Sequence, residues 1–353
     1  MKIEQLFKRA VDMGASDLHL RVGLPPVLRI NGHLRRQEDI PVLTNDDAMQ
    51  MLEEIISPEQ KARLLAEKEL DFAGEFGFLA RFRINVMWQR KMLSIACRVL
   101  PFEVPTIDAL ELPQVCKDLI LQPRGLILVT GPTGVGKSTT VAAMIRHLNE
   151  NRDCNVVCIE DPIEYHHQNI KSIIAQRELG EDTNSFHMAL VRSLRHDPDV
   201  IVVGEMRDLD TISAAITAAE TGHLVISTLH TSDAVQTIDR IIDVFPPMQQ
   251  PQIRLQLSQE ILAILSQTLL PRASGKGMIA AFEVVLANPS IRTIIREGRT
   301  YEIPTYIRIH QDPSAQSLDD ALAFLIRTKK VTREAAMRRA SDPKRLTKLL
   351  ASP

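Results

Sequence analysis

Gly131-Pro132-Thr133-Gly134-Val135-Gly136-Lys137-Ser138 fits the phosphate-loop pattern G-x-x-x-x-G-K-[ST] at every position. An apolar run, Leu126-Ile-Leu-Val-Thr130, leads into it, and a helix-like stretch from Ser138 to Leu148 leads out. That is the strand–loop–helix setting the motif needs. Glycines let backbone N–H groups curl round a phosphate chain, and the following helix points its positive end at the same anion. Lys137 is expected at the β/γ-phosphates and the Ser138 hydroxyl on Mg²⁺, with Thr139 beside them. A glycine-rich turn without chemistry is the plain alternative, and the two correct flanks argue against it.

Downstream, buried-type strands alternate with helical stretches. The strands are Gly125–Thr130, Val156–Glu160, Val200–Val203 and Leu224–Thr228, with helices near 139–149, 185–196 and 208–220. This alternation predicts an α/β fold with a mostly parallel sheet covered on both faces. Upstream, residues 1–100 read as a small α/β domain. Ile3, Leu6, Phe7 and Ala10 have helical spacing, Asn31-Gly32 marks a hairpin, and Ser57-Pro58-Glu59-Gln60 carries a capping-box spacing. Ala80, Phe82, Ile84, Val86 and Trp88 alternate along a strand whose other face carries Arg81, Arg83 and Asn85, and the partner strand, Met92 to Val99, carries Arg98. Three prolines in 101–113 suggest a linker, followed by a nucleotide-binding domain over 114–289 and a helical region over 290–353 with Thr332 and Ser341 as caps.

The 353 residues are 44% hydrophobic and 24% charged, with a formal net charge of -2. Such a balance gives no global attraction for nucleic acid. The four cysteines form no C-x-x-C pair, so a zinc site is not expected and reduced thiols are. The start has no apolar signal core, and no uncharged run approaches the ~18 residues of a membrane helix. The expectation is a cytoplasmic protein without membrane insertion.

Ligands of parallel sheets gather at the carboxyl ends of the strands. There the chain places Glu160-Asp161-Pro162-Ile163-Glu164, a dense acidic turn in which Glu164 is the candidate general base. After Val200–Val203 comes Gly204-Glu205, where a common Walker B segment has aspartate at the Gly204 position. Glu205 is therefore expected to act through a metal-bound water. His223 and His230 frame the next strand. His230 could report the γ-phosphate, while a structural role for His223 stays open. Arg192, Arg195, Arg207 and Arg240 lie near these motifs, and an arginine supplied across an interface would compensate charge in phosphoryl transfer.

Together these segments resemble the Walker A, Asp box, Walker B and His box of the secretion ATPase superfamily. The segments in question are Gly131–Ser138, Cys158–Tyr165, Val203–Asp208 and Thr221–Thr231, and Gly14–Leu20 resembles the start of that superfamily's N-terminal domain. Ser290–Arg299 is similar to the A-I-R-N-L-I-R-E-G-K segment of the pilus retraction branch, differing at Ser290, Thr293, Ile294 and Arg299. The compact N-terminal region and the lack of a four-cysteine zinc insertion agree with that branch. The resemblance implies a RecA-like phosphate-loop NTPase core, an N-terminal PAS-like α/β domain and a helical C-terminal region. It implies a homohexameric, Mg²⁺-dependent ATPase at the inner-membrane pilus machinery, driving retraction and twitching motility through a platform protein. It carries Lys137 and Ser138 to phosphate and Mg²⁺, Glu164 to the base, Glu205 to the metal-linked water, His230 to the γ-phosphate, and Arg83 and Arg98 to charge compensation. Closure of the N-terminal domain about the linker would then do the mechanical work. Pilus extension or type II secretion, a nucleic-acid motor and a regulator without turnover are the alternatives.

Overall fold

The computed structural model describes residues 2–30, 32–76, 80–100, 103–310, 312 and 314–351. They form two compact units, 1–103 with 162–166 and 104–161 with 167–353.

The first unit is built on an antiparallel six-stranded sheet. Its elements are α1 (Ile3–Asp12), β1 (Asp17–Arg21), β2 (Val27–Ile30), β3 (His33–Arg36), α2 (Asn45–Glu53), α3 (Pro58–Glu67), β4 (Glu69–Phe76), β5 (Ala80–Gln89) and β6 (Met92–Leu100), with strand order β3-β2-β1-β6-β5-β4. The helical spacing of Ile3, Leu6, Phe7 and Ala10 becomes the buried face of α1. Phe7 stacks on Phe82 of β5 at a centroid distance of 4.1 Å. Ser57 and Gln60 close the expected capping box on α3. Ile30 pairs with His33 across the expected hairpin, and Gly32 takes φ 82°; Asn31 lies outside the described residues.

The second unit holds a seven-stranded sheet in the order β13-β12-β7-β11-β10-β8-β9. Its first half runs α4 (Val115–Ile120), β7 (Gly125–Thr130), α5 (Lys137–Asn151), β8 (Asn155–Glu160), β9 (Ile173–Glu178), α6 (Phe186–Ser193), β10 (Val200–Val203), α7 (Leu209–Glu220) and β11 (Leu224–Leu229). Its second half adds α8 (Ala234–Asp243), α9 (Gln250–Glu260), β12 (Ile261–Pro271), β13 (Met278–Leu286), α10 (Pro289–Arg296), α11 (Ile303–His310), α12 (Leu318–Arg327), α13 (Arg333–Met337) and α14 (Pro343–Ala351). All pairings are parallel except β12 with β13.

Every residue of β7, β10 and β11 is buried. Alternation along a strand sends neighbours to opposite faces, so each apolar run feeds two cores. Ile127, Val129, Cys158, Val202 and Ile226 pack under α4 and α5. Leu126, Leu128, Ile159, Ile201 and Val225 pack under α6 to α9. Ile291, Ile294 and Ile295 of α10 join this second core, and α12 to α14 cover Leu270, Ile279 and Ala281 of the β12–β13 pair.

The structure departs from the sequence expectation in four places. The chain enters the second unit at Val104, and Ile107 and Leu112 are buried in its core, so most of the proline-rich stretch is folded material; Pro101 and Phe102 lie outside the described residues. The helices beyond 290 belong to the same compact unit as the parallel sheet. Strands β9, β12 and β13 lacked an expectation. Thr332 caps α13 as expected, but at α14 it is Asp342, not Ser341, whose carboxylate accepts the free backbone N–H groups, from Lys344 and Arg345.

Candidate active site

Gly131 to Gly136 joins the carboxyl end of β7 to the first turn of α5. Gly131, Gly134 and Gly136 have φ of 145°, 81° and 90°, values that side chains resist. At Gly131 space forbids a side chain as well, because a Cβ would stand 2.5 Å from the Gln267 carbonyl oxygen. Lys137 is 8% exposed. Its Nζ donates to the Gly131 and Pro132 carbonyls at 2.8 and 3.1 Å, which folds the ammonium back into the loop. Ser138 is exposed on the first turn of α5. Inward ammonium, free hydroxyl and helix N-terminus are the donor set of a polyphosphate with a divalent cation, so these residues fit Mg²⁺-nucleotide.

The neighbouring strand ends extend the loop into a polar chain. His230, just past β11, has Nδ1 3.5 Å from Lys137 Nζ and 3.4 Å from the Thr133 hydroxyl. Its Nε2 lies 3.3 Å from Glu205 Oε2, and Arg207 Nε is 2.8 Å from Glu205 Oε1. A lysine can only donate and a carboxylate only accept. The network therefore assigns Nδ1 as acceptor and Nε2–H as donor on His230. Of the arginines flagged in sequence, Arg207 joins this chain, while Arg192, Arg195 and Arg240 are exposed elsewhere on the unit.

Gly204 explains the missing Walker B aspartate. A Cβ there would meet the Ile159 carbonyl oxygen at 3.1 Å and Glu160 Cα at 3.3 Å. Its N–H donates to that same carbonyl at 2.7 Å, and its own carbonyl accepts the Thr228 hydroxyl at 2.6 Å. The backbone of β8 packs tightly here, so a side chain at this position would need β8 to give way by a few tenths of an ångström, and the carboxylate of the segment stands one residue on, at Glu205. His223 stands at the other end of β11, roughly 23 Å from His230 at about 3.3 Å per residue. Its Nδ1 donates to Ala218 O at 2.9 Å and its carbonyl accepts from Gly125 N at 3.0 Å, which is a structural role.

Glu160 ends β8 half-buried and accepts from Gln176 Nε2 at 2.9 Å. Glu164 is half-buried in the 162–166 segment, which folds with the first unit. His166 of that segment is hydrogen-bonded to Arg81, which is buried rather than presented on an open strand face. Arg83 and Arg98 are cross-strand partners on β5 and β6. Asp17, opposite Arg98 on β1, binds Arg98 Nε at 3.1 Å and lies 3.7 Å from Arg29. Like charges in register are destabilising, so this rung of three arginines on one carboxylate retains unspent positive charge.

Sequence reasoning missed Gln267. It lies on β12, 3% exposed, with Nε2 donating to Val135 O at 2.5 Å and Oε1 accepting from the Thr140 hydroxyl at 2.8 Å. The signal was weak: a single amide in an apolar run whose partner strand was not anticipated.

A Gly-Lys-Ser loop at the carboxyl end of a central parallel strand, opening a long helix, defines a phosphate-loop NTPase fold. Comparison with known proteins sharpens this. A profile of the family described as "Type II/IV secretion system protein" matches residues 2–285. The type IV pilus retraction ATPase PilT of Pseudomonas aeruginosa is 42% identical over 343 residues, 97% of this chain and 99% of that protein. A twitching motility protein of Neisseria gonorrhoeae is 42% identical over 90% of this chain and 84% of its own length. A crystal structure of the pilus retraction motor PilT with bound ADP superposes with a TM-score of 0.92, at 43% identity and 99% coverage of both chains. The chain belongs to the type II/IV secretion system protein family.

Proposed function

We propose that this chain is an ATP-hydrolysing motor of type IV pilus retraction, working as a homohexamer on an inner-membrane platform protein from the cytoplasmic side. The observation that carries this is the correspondence with a pilus retraction ATPase over 97% of this chain and 99% of that protein. The phosphate loop supports it independently, because its donors suit the phosphates of ATP. Backbone N–H groups from Thr133 through Gly134, Val135 and Gly136 to Thr139 cradle the anion, with Gly131 and Pro132 shaping the loop, and Lys137 supplies the cation. Ser138 would hold Mg²⁺, which when bound would offset phosphate charge, and Glu205 would act on it through a water. Glu164 takes the proton of the attacking water. His230, set between Lys137 and Glu205, reads the γ-phosphate, while Arg83 and Arg98 are the compensating cations of the N-terminal unit. Among the described residues no helix is long and apolar enough to cross a membrane, which suits a peripheral motor.

The test is a strain lacking this chain, with surface pili counted alongside surface motility. Abundant pili without motility are expected. A strain without any pili would replace retraction by extension. In the purified protein, Glu164→Gln should keep nucleotide binding and lose turnover by roughly 10²-fold or more, the scale of a positioned general base. Normal phosphate release would remove Glu164 from that role.

A further inference from the structure

We infer that Gln267 is a positioning residue that fixes the direction of the Gly136 N–H donor in the phosphate loop; this deepens the nucleotide-motor reading and rests on it. In a trans peptide the C=O of one residue and the N–H of the next point opposite ways. The peptide between Val135 and Gly136 is flanked by a glycine at φ 90°, so little in its own sterics keeps it from turning over. Gln267 supplies the restraint. Its Nε2 donates to Val135 O at 2.5 Å. Holding that carbonyl toward β12 turns the Gly136 N–H away from β12, into the loop where a phosphate oxygen would lie.

The amide itself cannot rotate freely. A carbonyl can only accept, so the nitrogen end must face Val135, and Thr140 Oγ1 donates to the oxygen end at 2.8 Å. Gln267 and Thr140 are 3% and 1% exposed, and their mutual bond is buried, so losing it leaves a polar group without water to replace it. One residue earlier, Ser266 Oγ accepts from Thr130 Oγ1 at 2.9 Å. β12 thus grips the strand before the loop, the loop itself and the helix after it.

Nucleotide affinity and steady-state ATPase kinetics of the full chain test this, with ADP and Mg²⁺ as the titrant. Gln267→Leu should weaken ADP about tenfold, the worth of a single charge-assisted donor. Gln267→Glu should do at least as much, since its carboxylate would face Val135 O. Thr140→Val, which leaves the amide in place but unguided, should cost less. The ATP KM should rise in step while kcat stays within about twofold, because a ground-state phosphate contact is uniform binding. A merely structural glutamine would lower kcat through loss of active protein and leave KM alone, and that result overturns the inference. So does an unchanged ADP affinity in all three variants. If Gln267→Leu does not fold, Gln267→Glu and Thr140→Val are read by the same criteria. Failure of the wild-type chain to bind ADP would sink the motor reading itself, whereas binding that all three variants share sinks the Gln267 inference alone.

Discussion

At Lys137 a buried ammonium is held by two carbonyls of its own loop, which keeps the cation where phosphate oxygens would arrive. Lys137→Ala should lower kcat/KM by roughly 10²–10³-fold, the scale seen when one preorganised charge-stabilising donor is removed. A phosphate-release assay within tenfold of wild type would contradict this. Gly204 makes the opposite case, a residue defined by what does not fit. Gly204→Asp restores a common Walker B sequence, yet its Cβ would crowd the β8 backbone at 3.1 and 3.3 Å. The expected outcome is a loss of about 1–3 kcal/mol in unfolding free energy with no gain in activity, and an unshifted denaturation midpoint would refute the steric account. The sequence itself displayed Lys137 through a fixed spacing and flagged Gly204 as a departure. It could not display the reason for the departure, which is the nearness of β8, a strand more than forty residues earlier.

At the scale of elements, the same limit explains what was legible. β7, β10 and β11 announced themselves as continuous apolar runs, because strands buried on both faces have no polar side to show. β12 and β13 were harder to read, since each depends on the other and on β7 for its place. Their inward-facing polar residues, Gln267 and Glu283, make sense only once that pairing is formed. Glu283 of β13 is half-buried, and its carboxylate accepts from Ala234 N at the start of α8. Burial, seconded by the nearby Asp233 and Asp319, lifts its pKa from the usual 4.5 to about 7. An acid with a raised folded pKa contributes most stability while protonated. That contribution is complete below the unfolded value near 4.5 and is lost as pH rises through about 7, an effect of roughly 3 kcal/mol. Glu283→Gln stays neutral throughout. Its melting temperature should therefore gain on wild type by several degrees between pH 5 and pH 8, and a gap that stays flat with pH would dismiss the mechanism.

The whole molecule is two units, and the chain passes between them three times, after Glu103, after Asp161 and after His166. Composition and the proline cluster suggested a single passage through a linker. The return excursion is hidden because the turn's carboxylates dominate its residue pattern, while its Ile163 and Tyr165, both buried, belong to the segment that folds with the first unit. A fragment beginning at residue 104 should carry those two side chains without their partners. It is expected to bind apolar dyes and aggregate, where the full chain does not; a monodisperse fragment with no added dye binding would count against this. The five-residue excursion acts as a stitch rather than a string. If a protease cut only the connection near Glu103, the polypeptide would be severed, yet the 1–103 piece would still travel with the larger one through filtration, held by a segment that the larger piece had lent to its fold.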